Sequence, residues 1–467
     1  MINQSVFKAY DIRGIYPTDI NEENYALIIR AIYTFFVRSL KKDTLTVVLG
    51  RDMRVSSPSL FEVAKHELVK SGATVIDIGL SPTPTFYYAA LKYGYDVGID
   101  VTASHNPKEY AGTKFVMRDG DKIIKIGKST GMEKVKEYVL KQDFVDYKEG
   151  GKVIEKTNVL DEEVDSAIKE TKIDVSKLKK FKVVADPGNG MGALYISKLF
   201  EKVPGDLVKM FYDLDGTFPN HDADPLKAKN LAPLMKRVKD EKADLGIAPD
   251  GDGDRVFFIN EKGDIISATF ITSLIAQEAL QVNKGATVIA DIRYTRNVSN
   301  VVKKHGGKTF ISKVGHAFIT EDVNREGAYF AGESSGHFYF GSIGGAESAV
   351  RVILYVLEAM SREDRPISEI LAHLQSSYES GEFNYVLPET VDSKELLQKI
   401  SQTYGTGQVS WLDGLAVDFP EWRFNIRTSN TEPLMRLNVE ADNPELTATK
   451  LEEMKNHILA AGAKPKD

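Results

Sequence analysis

The sequence predicts three consecutive α/β domains with mixed, largely parallel sheets, followed by a smaller α+β domain. The chain has 467 residues, too many for one hydrophobic core and enough for three or four domains of about 100–150 residues. As far as residue 368, short apolar segments alternate with helical patterns, which is typical of βαβ units. From residue 369 onward, strand patterns predominate and only a few helices interrupt them. We expect the domains to cover residues 1–150, 151–258, 259–368 and 369–467.

The elements of each expected domain follow from apolar periodicity and turn residues. In the first domain, helices over 21–42, 56–72 and 83–94 alternate with strands over 44–50, 73–79 and 96–101. In the second, strands over 180–186, 208–214 and 243–248 alternate with helices over 191–203 and 225–240. In the third, a hairpin turning at Gly263 and Asp264 precedes helices over 269–280, 297–306, 316–327 and 346–363 and strands over 286–293, 308–315 and 328–332. The tail has strands over 382–389, 414–419, 422–428 and 434–442 and a last helix from about Pro444.

Each α/β domain contains one strand that runs into a loop of small polar residues. These loops are TASHNP at 102–107, PDGDGDR at 249–255 and GESSGH at 332–337. Ligands of parallel sheets gather at the carboxyl ends of the strands. We therefore expect the three loops to face one central cleft.

The first loop raises the question of whether Ser104 is a nucleophile. A capped turn explains an Asn-Pro step among small polar residues without any chemistry. A Ser-His dyad is disfavoured because side chains of adjacent residues on an extended chain point to opposite sides, so we expect His105 to point away from Ser104. If Ser104 reacts, its activation should come from another part of the chain.

The second loop carries the most specific pattern. Asp250, Asp252 and Asp254 alternate with glycines, so three carboxylates can turn toward one hard cation. A calcium EF-hand would place Glu261 at its twelfth position, but its sixth position requires glycine and is Arg255. The alternative without a metal is a solvated acidic turn. We expect a Mg²⁺ site, because Mg²⁺ takes a few carboxylates together with water and phosphate oxygens.

The third loop and the tail offer groups that bind sugars and anions. Glu333 and His337 suit sugar hydroxyls or proton transfer, although a plain turn with a capping serine is an equal alternative. In the tail, residues 427–433 (RTSNTEP) concentrate donors that fit a phosphate. Further basic candidates stand near predicted strand ends: Arg13, Arg51, Arg54, Arg293, Lys313 and His316.

Composition narrows the class of function. The formal net charge of -7 argues against nucleic acid as a partner, because binding its phosphate backbone requires a basic surface. There is no cysteine, so disulfides and cysteine chemistry are excluded, as in a reducing compartment. No apolar run approaches the roughly 20 residues of a membrane span, and the first residues lack a signal-peptide pattern. We expect a cytoplasmic protein without a membrane partner, and composition does not decide between monomer and dimer.

With these loops, the chain resembles the α-D-phosphohexomutase family over essentially its full length, most closely the phosphomannomutase/phosphoglucomutase branch. The motifs at 102–107, 250–255, 332–337 and 427–433 occur in the family's order, and AYDIRG, DPGNGMG and DGTFPNHDADP also look like family segments. The resemblance implies four domains around a central active-site cleft. It also implies sugar phosphates as substrates.

The resemblance implies a mechanism as well. Ser104 would carry a phosphoryl group, with Mg²⁺ bound by the three aspartates and a phosphoserine oxygen. The group would pass between Ser104 and a hexose phosphate through a bound hexose 1,6-bisphosphate, which also serves as activator. The resemblance assigns Lys114, His337, Arg13 and Arg255 to catalysis. It assigns to substrate binding Glu333, Ser335, His316, Arg293, Arg427, Ser429, Asn430 and Thr431.

Three positions are informative within the family, and two of them, Ser334 and Asn430, bear on substrate preference. Ala111 stands where asparagine is common, which affects local loop hydrogen bonding, and Ser334 stands where this branch often has methionine. Asn430 resembles the phosphomannomutase/phosphoglucomutase pattern more than that of the phosphoglucosamine mutases. The alternative within the family is a phosphoglucosamine mutase, and the sequence leaves mannose versus glucose open.

Two alternatives lie in other classes. Gly188, Gly190 and Ala193 have a G-x-G-x-x-A spacing between a strand and a helix, with Asp213 about 20 residues further on, as in a dinucleotide-dependent oxidoreductase. That function leaves the aspartate loop without a role. A sugar-phosphate binding protein without turnover would have no use for an aspartate triplet beside a phosphorylatable serine.

Overall fold

The structure, a computed structural model, describes residues 2–428 and 434–466. Four β-sheets follow one another along this part of the chain, three of them mixed and the last antiparallel. The predicted fold class is therefore confirmed. Among the helices described, none has the length and apolar character of a membrane-spanning segment.

The first sheet contains seven strands. These are β1 (Ile12–Ile15), β2 (Thr46–Arg51), β3 (Thr74–Leu80), β4 (Val97–Val101), β5 (Tyr110–Asp119), β6 (Lys122–Lys125) and β7 (Lys152–Glu155). Its helices are α1 (Glu22–Leu40), α2 (Ser57–Lys70), α3 (Thr83–Lys92) and α4 (Glu133–Lys141). The order is β1-β5-β4-β2-β3-β7, with β6 beside β5. The strands from β4 to β7 in this order are parallel, and β5 runs antiparallel to its neighbours.

The second and third sheets repeat this plan with five strands each. The second has β8 (Phe181–Ala185), β9 (Gly205–Lys209), β10 (Leu245–Pro249), β11 (Val256–Asn260) and β12 (Ile265–Ile266), with helices α5 (Val159–Thr171), α6 (Gly192–Phe200) and α7 (Ala228–Glu241). The third has β13 (Thr287–Asp291), β14 (Lys308–Ser312), β15 (Phe330–Gly332), β16 (Phe338–Phe340) and β17 (Ala346–Glu347), with helices α8 (Ala268–Val282), α9 (Arg296–Lys304), α10 (His316–Glu326), α11 (Ala349–Glu363) and α12 (Ile367–Ala372). Their orders are β12-β11-β10-β8-β9 and β14-β13-β15-β16-β17.

The fourth sheet is antiparallel and has seven strands. These are β18 (Tyr378–Glu379), β19 (Phe383–Val386), β20 (Gln408–Ser410), β21 (Leu415–Asp418), β22 (Trp422–Thr428), β23 (Leu434–Ala441) and β24 (Lys464–Lys466). Helices α13 (Ser393–Thr403) and α14 (Pro444–Ala460) accompany it. The Asn443 side chain accepts from the Leu446 N–H at the start of α14, which explains why that helix begins after an Asn-Pro step.

Some elements differ from the sequence predictions. The strand expected over 208–214 lies over Gly205–Lys209, because Phe211 has a φ of 49° and this left-handed conformation ends the strand. The expected limit at residue 150 precedes β7, although β7 pairs with β3 of the first sheet. The limits of the four domains stay predictions.

One buried hydrophobic cluster extends across the first three units, beside further clusters that each belong to a single unit. Phe86 of α3, Tyr195 of α6 and Ile353 of α11 belong to the same buried cluster, so the loops carried by these units are held in a fixed arrangement. The fourth unit has its own core and meets the third through polar contacts. Glu440 of β23 accepts N–H bonds from residues 295–297 at the start of α9, at 3.0, 3.1 and 3.2 Å.

Candidate active site

Ser104 follows β4 in a tight turn. Its φ of 51° is left-handed, its N–H donates to Thr102 Oγ1 at 2.9 Å, and its side chain is buried. Ser104 Oγ donates to Asp250 Oδ2 at 3.2 Å and also lies 3.2 Å from His105 Nδ1. The expectation that His105 points away was wrong, because the left-handed residue interrupts the alternation of an extended chain.

The Arg54 side chain holds this turn in place through hydrogen bonds to its carbonyls. Its Nη2 donates to the carbonyls of Ser104 (2.7 Å) and Asn106 (2.5 Å), and its Nη1 to those of Pro107 (2.8 Å) and Tyr110 (3.2 Å). The guanidinium is fully buried and pairs with the carboxylate at position 52, at 3.2 Å. The planar fork of arginine can donate to several carbonyls at once, and here it ties together residues 104–110.

The aspartate loop connects β10 with its antiparallel neighbour β11. All three aspartates are buried, and their ligand atoms lie within 4.8 Å of one another. A Cβ at Gly251 would stand 2.5 Å from the Ser104 carbonyl oxygen, so glycine is what lets the two loops touch. Glu261 does not reach the loop and instead accepts from the Ser368 hydroxyl, which excludes the EF-hand geometry.

Lys114 connects the first unit to the aspartate loop. It lies on β5 opposite Asp100 of β4, and its Nζ donates to Asp252 Oδ2 (2.6 Å) and Asp254 Oδ2 (2.5 Å). The Thr83 hydroxyl lies 2.6 Å from the same Asp252 oxygen. Burial alone would lower the pKa of Lys114, but the two carboxylates raise it well above its usual value.

The electrostatics of the loop favour a cation. Burial, together with the charges of Asp252 and Asp254, raises the pKa of Asp250 to about 7. Burial also opposes ionisation of Asp254, yet Lys114 and His337 hold its pKa well below the ordinary value. Asp252 Oδ1 is buried and accepts no hydrogen bond from the described residues. One lysine therefore leaves carboxylate oxygens for a metal ion, and the residues fit Mg²⁺.

The third loop joins the second through His337 and Arg255, which form an isolated antiparallel bridge. His337 Nε2 lies 3.3 Å from both Arg255 Nε and Asp254 Oδ1, so this nitrogen accepts from the arginine when neutral and donates to the carboxylate when protonated. Burial lowers the pKa of His337, but Asp254 outweighs it and the pKa rises to about 9. Arg255 Nη1 is buried and without a partner in the described chain.

The remaining residues of the loop are organised by ion pairs. Glu333 accepts from Arg293 Nη2 at 3.1 Å and from the Tyr339 hydroxyl at 2.9 Å. Arg293 also makes a two-pronged pair with Asp291 at 3.0 Å for each bond. Ser335 Oγ lies 3.0 Å from His337 Nδ1. Glu333 is thus paired with Arg293, and Ser335 lies beside His337.

Two predicted residues lie at the margin of this group. Arg13 pairs with Asp11 and donates to the Asn106 side chain, which attaches β1 to the Ser104 loop. Neither ring nitrogen of His316 has a hydrogen-bond partner in the described ranges, and its ring centroid lies 6.2 Å from that of His337. Burial, with nearby lysines, lowers the pKa of His316 well below 6.5.

The fourth loop is described only in part. Arg427 of β22 is buried and donates to Glu382 Oε2 at 2.7 Å. Ser429, Asn430 and Thr431 lie outside the described residues.

The glycine-rich turn does not form a dinucleotide site. A Cβ at Gly190 would stand 2.8 Å from the Gly251 carbonyl oxygen, and the Met191 N–H donates to that oxygen at 2.9 Å. Asp213 contributes its backbone carbonyl to the Asn189 side chain. The turn is filled by the aspartate loop, so the oxidoreductase alternative has no room for its cofactor.

Sequence reasoning missed two supports of the site. Arg54 was a candidate ligand group, but the structure uses it to hold the Ser104 loop. Thr83, at the start of α3, bridges Asp100 and Asp252. The Thr-Pro step before α3 signals a helix start, but no local pattern shows that the hydroxyl faces a loop 169 residues away.

Comparison with known proteins covers the whole chain. Family models of phosphoglucomutase/phosphomannomutase match residues 4–145 (alpha/beta/alpha domain I), 164–263 (domain II), 262–378 (domain III) and 390–457 (C-terminal domain). The phosphomannomutase of Vibrio cholerae is 37% identical over 96% of this chain and 97% of its own length. The phosphoglucomutase of Neisseria meningitidis is 34% identical over 98% and 97%.

Solved structures agree with these relatives. A phosphoglucomutase/phosphomannomutase family protein from Burkholderia thailandensis superposes with a TM-score of 0.87 at 31% identity, covering 100% of both chains. An N-acetylphosphoglucosamine mutase from Aspergillus fumigatus, in complex with GlcNAc-6P and magnesium, gives a TM-score of 0.61 at 13% identity over 99% of this chain and 96% of its own. The second likeness concerns the fold alone.

Proposed function

This chain belongs to the phosphoglucomutase/phosphomannomutase family and is a sugar-phosphate mutase, and on that premise we propose that Ser104 carries the phosphoryl group that it transfers. The substrates are hexose 1-phosphate and hexose 6-phosphate, of mannose, glucose or both. One observation carries the proposal. Ser104 Oγ, buried in its turn, points at Asp250 across a loop contact that leaves no space for a side chain at Gly251.

The first transfer moves the phosphoryl group from Ser104 to the free hydroxyl of a bound hexose monophosphate. The bond between phosphorus and Ser104 Oγ breaks and a bond to the sugar oxygen forms. The proton that the sugar hydroxyl gives up is relayed by the acid/base residues to the released Ser104 oxygen, which becomes a hydroxyl. The product is a hexose 1,6-bisphosphate. The bisphosphate then reorients within the cleft so that its other phosphate faces Ser104. Transfer of that phosphate to Ser104 restores the phosphorylated serine.

The acidic loop is assigned to Mg²⁺, held by Asp250, Asp252, Asp254 and a phosphoserine oxygen. The ion would supply charge neutralisation at the transferring oxygens, which loose phosphoryl transition states require. Lys114 spans two of the aspartates and keeps a positive charge beside them. Arg255 offers a buried, unpartnered Nη1 within the described chain, suited to a phosphate oxygen.

Proton transfer is assigned to His337 with Lys114. The pKa of His337, raised to about 9, keeps the ring protonated at neutral pH. In the transfer back to Ser104, the protonated ring can give its proton to the leaving sugar oxygen and regain the proton that the Ser104 hydroxyl gives up. Lys114 is strongly paired with two aspartates, so its main role is to hold them in place. It would transfer a proton only when phosphate or metal changes that pairing. Glu333, Ser335, His316 and Arg293 would position the sugar, and Arg13 and Arg427, with Ser429, Asn430 and Thr431, its phosphates.

Intact mass spectrometry tests the central claim. Incubation with glucose 1,6-bisphosphate should add one phosphate to the wild-type chain, and subsequent glucose 6-phosphate should remove it. Ser104→Ala should show no adduct and no turnover, while Ser56→Ala, which alters a serine outside this loop, should retain both. An active Ser104→Ala variant, or an adduct that persists in it, would sink the phosphoserine mechanism.

A further inference from the structure

Glu382 lies among three arginines that come from two units of the fold. It stands just before β19, and its Oε2 accepts from Arg427 Nη2 at 2.7 Å while its Oε1 is 3.7 Å from Arg436 Nη1. Burial raises the pKa of the Glu382 carboxyl, but the guanidiniums of Arg293, Arg427 and Arg436 hold it below the ordinary value. The carboxylate thus occupies a strongly cationic place.

The same place is where the proposed function puts a substrate phosphate. Arg427 is 7% exposed at its side chain, and its Nε is buried without a hydrogen-bond partner in the described chain. One carboxylate therefore leaves part of this guanidinium unsatisfied. A phosphate dianion carries more charge and more acceptor oxygens than a carboxylate, so it is the better partner for Arg427.

A cavity beside Glu382 gives its side chain space to move away from Arg427. A cavity of about 490 Å³ is lined by Glu382, His105, Lys227 and Lys466, among others. The preceding Gly381 has a φ of 80°, and a Cβ there would meet nothing within 4 Å. The carboxylate can therefore turn from Arg427 into a cavity whose walls carry lysines.

We propose that Glu382 is an internal stand-in for the substrate phosphate: it neutralises Arg427 in the empty cleft and is displaced when a sugar phosphate binds. This inference rests on the proposed function of the cleft. Glu382 is then an affinity-determining residue, because each binding event exchanges one anion for another at Arg427. Its carboxylate weakens phosphate binding and speeds product release.

A role in merely orienting Arg427 predicts the opposite effect. If Glu382 serves only to hold the guanidinium in place, its removal loosens Arg427 and weakens phosphate binding. Displacement predicts tighter binding without the competing charge. The sign of the change therefore separates the two roles.

Calorimetric titration of inorganic phosphate and of glucose 1-phosphate provides the test, in the Ser104→Ala background so that no transfer occurs. Glu382→Gln should tighten both by about three- to tenfold, as expected when one partly exposed like charge is removed from an anion site. The control Glu395→Gln removes an exposed acid from α13 and should leave both affinities unchanged. In an Arg427→Ala background, Glu382→Gln should lose its effect.

Unchanged or weaker phosphate binding in a folded Glu382→Gln variant would overturn the inference. If that variant does not fold, Glu382→Asp draws the carboxylate back by one methylene, and it should tighten binding to a smaller extent; an Asp variant that binds no tighter would equally count against displacement. Failure here is separable from failure of the proposed function, since mutase turnover and the Ser104 phosphate adduct are measured on the wild-type chain.

Discussion

Replacing Arg54 by methionine should unfold the Ser104 loop and destabilise the first α/β unit. Arg54 donates to four loop carbonyls at 2.5–3.2 Å. A hydrogen bond to a charged group contributes about 1.5–3 kcal/mol. The sum over the four bonds is only an upper bound on the lost unfolding free energy, because one guanidinium makes all of them and such contributions are not additive. The change also leaves the Asp52 carboxylate buried without its cation, and breaking a buried pair in this way costs about 3–5 kcal/mol.

We take about 3–5 kcal/mol as the expected loss of unfolding free energy. For a unit of roughly 150 residues, this corresponds to a fall in melting temperature of about 6–20 °C. Calorimetry should show the loss in the transition in which the first unit unfolds. Hydrogen exchange should show faster exchange over residues 102–110, and the mutase rate should fall because Ser104 no longer faces Asp250.

Two further variants make this prediction sharp. Arg51→Met removes a neighbouring arginine whose side chain makes one hydrogen bond among the described residues, to the Asp52 carbonyl at 3.1 Å, and should cost less than about 1 kcal/mol. Arg54→Lys keeps the pair with Asp52 but loses the planar fork. Its melting temperature should therefore lie between those of Arg54→Met and Arg51→Met. If Arg54→Met melted within about 2 °C of the wild type and turned over normally, the assignment of Arg54 as the support of the loop would be refuted.

Two other predictions concern buried carboxylates. Chelation of metal with EDTA should abolish turnover and lower the melting temperature. Mg²⁺ should restore both, because an ion that binds only the folded chain stabilises it. Full-speed turnover by the metal-stripped protein in a coupled assay would contradict the assignment of the aspartate loop. Glu163, which accepts from Thr85 Oγ1 at 2.5 Å, has its pKa raised by burial to about 7. Since the folded pKa exceeds the unfolded one, the protonated carboxyl favours folding at low pH and this contribution is lost as pH rises through about 7. The melting temperature of Glu163→Gln should therefore fall less than that of wild type between about pH 5 and pH 8; identical pH profiles would argue against the raised pKa.

Local patterns in the sequence predict much of the first three units. Strands β2, β3, β4, β10 and β13 and the helices between them lie close to where apolar periodicity places them, because a strand buried between helices must be apolar throughout. β5 is less visible, since it follows a loop without a regular pattern and carries Lys114 toward the cleft. The misplaced β9 shows the same limit, because an apolar run does not show that Phe211 is left-handed.

The chemistry of the cleft divides in the same way. Residue types and spacing along the chain show which groups are available: a serine in a polar turn, three aspartates alternating with glycine, and arginines near strand ends. Their types and spacing are local properties, so a single chain displays them. What each group contacts, and therefore what it does, depends on the folded arrangement. It placed Arg54 under the Ser104 carbonyls, Lys114 between two aspartates and Glu382 against Arg427, because such pairings depend on strand order and on the packing of separate units, which no local pattern records.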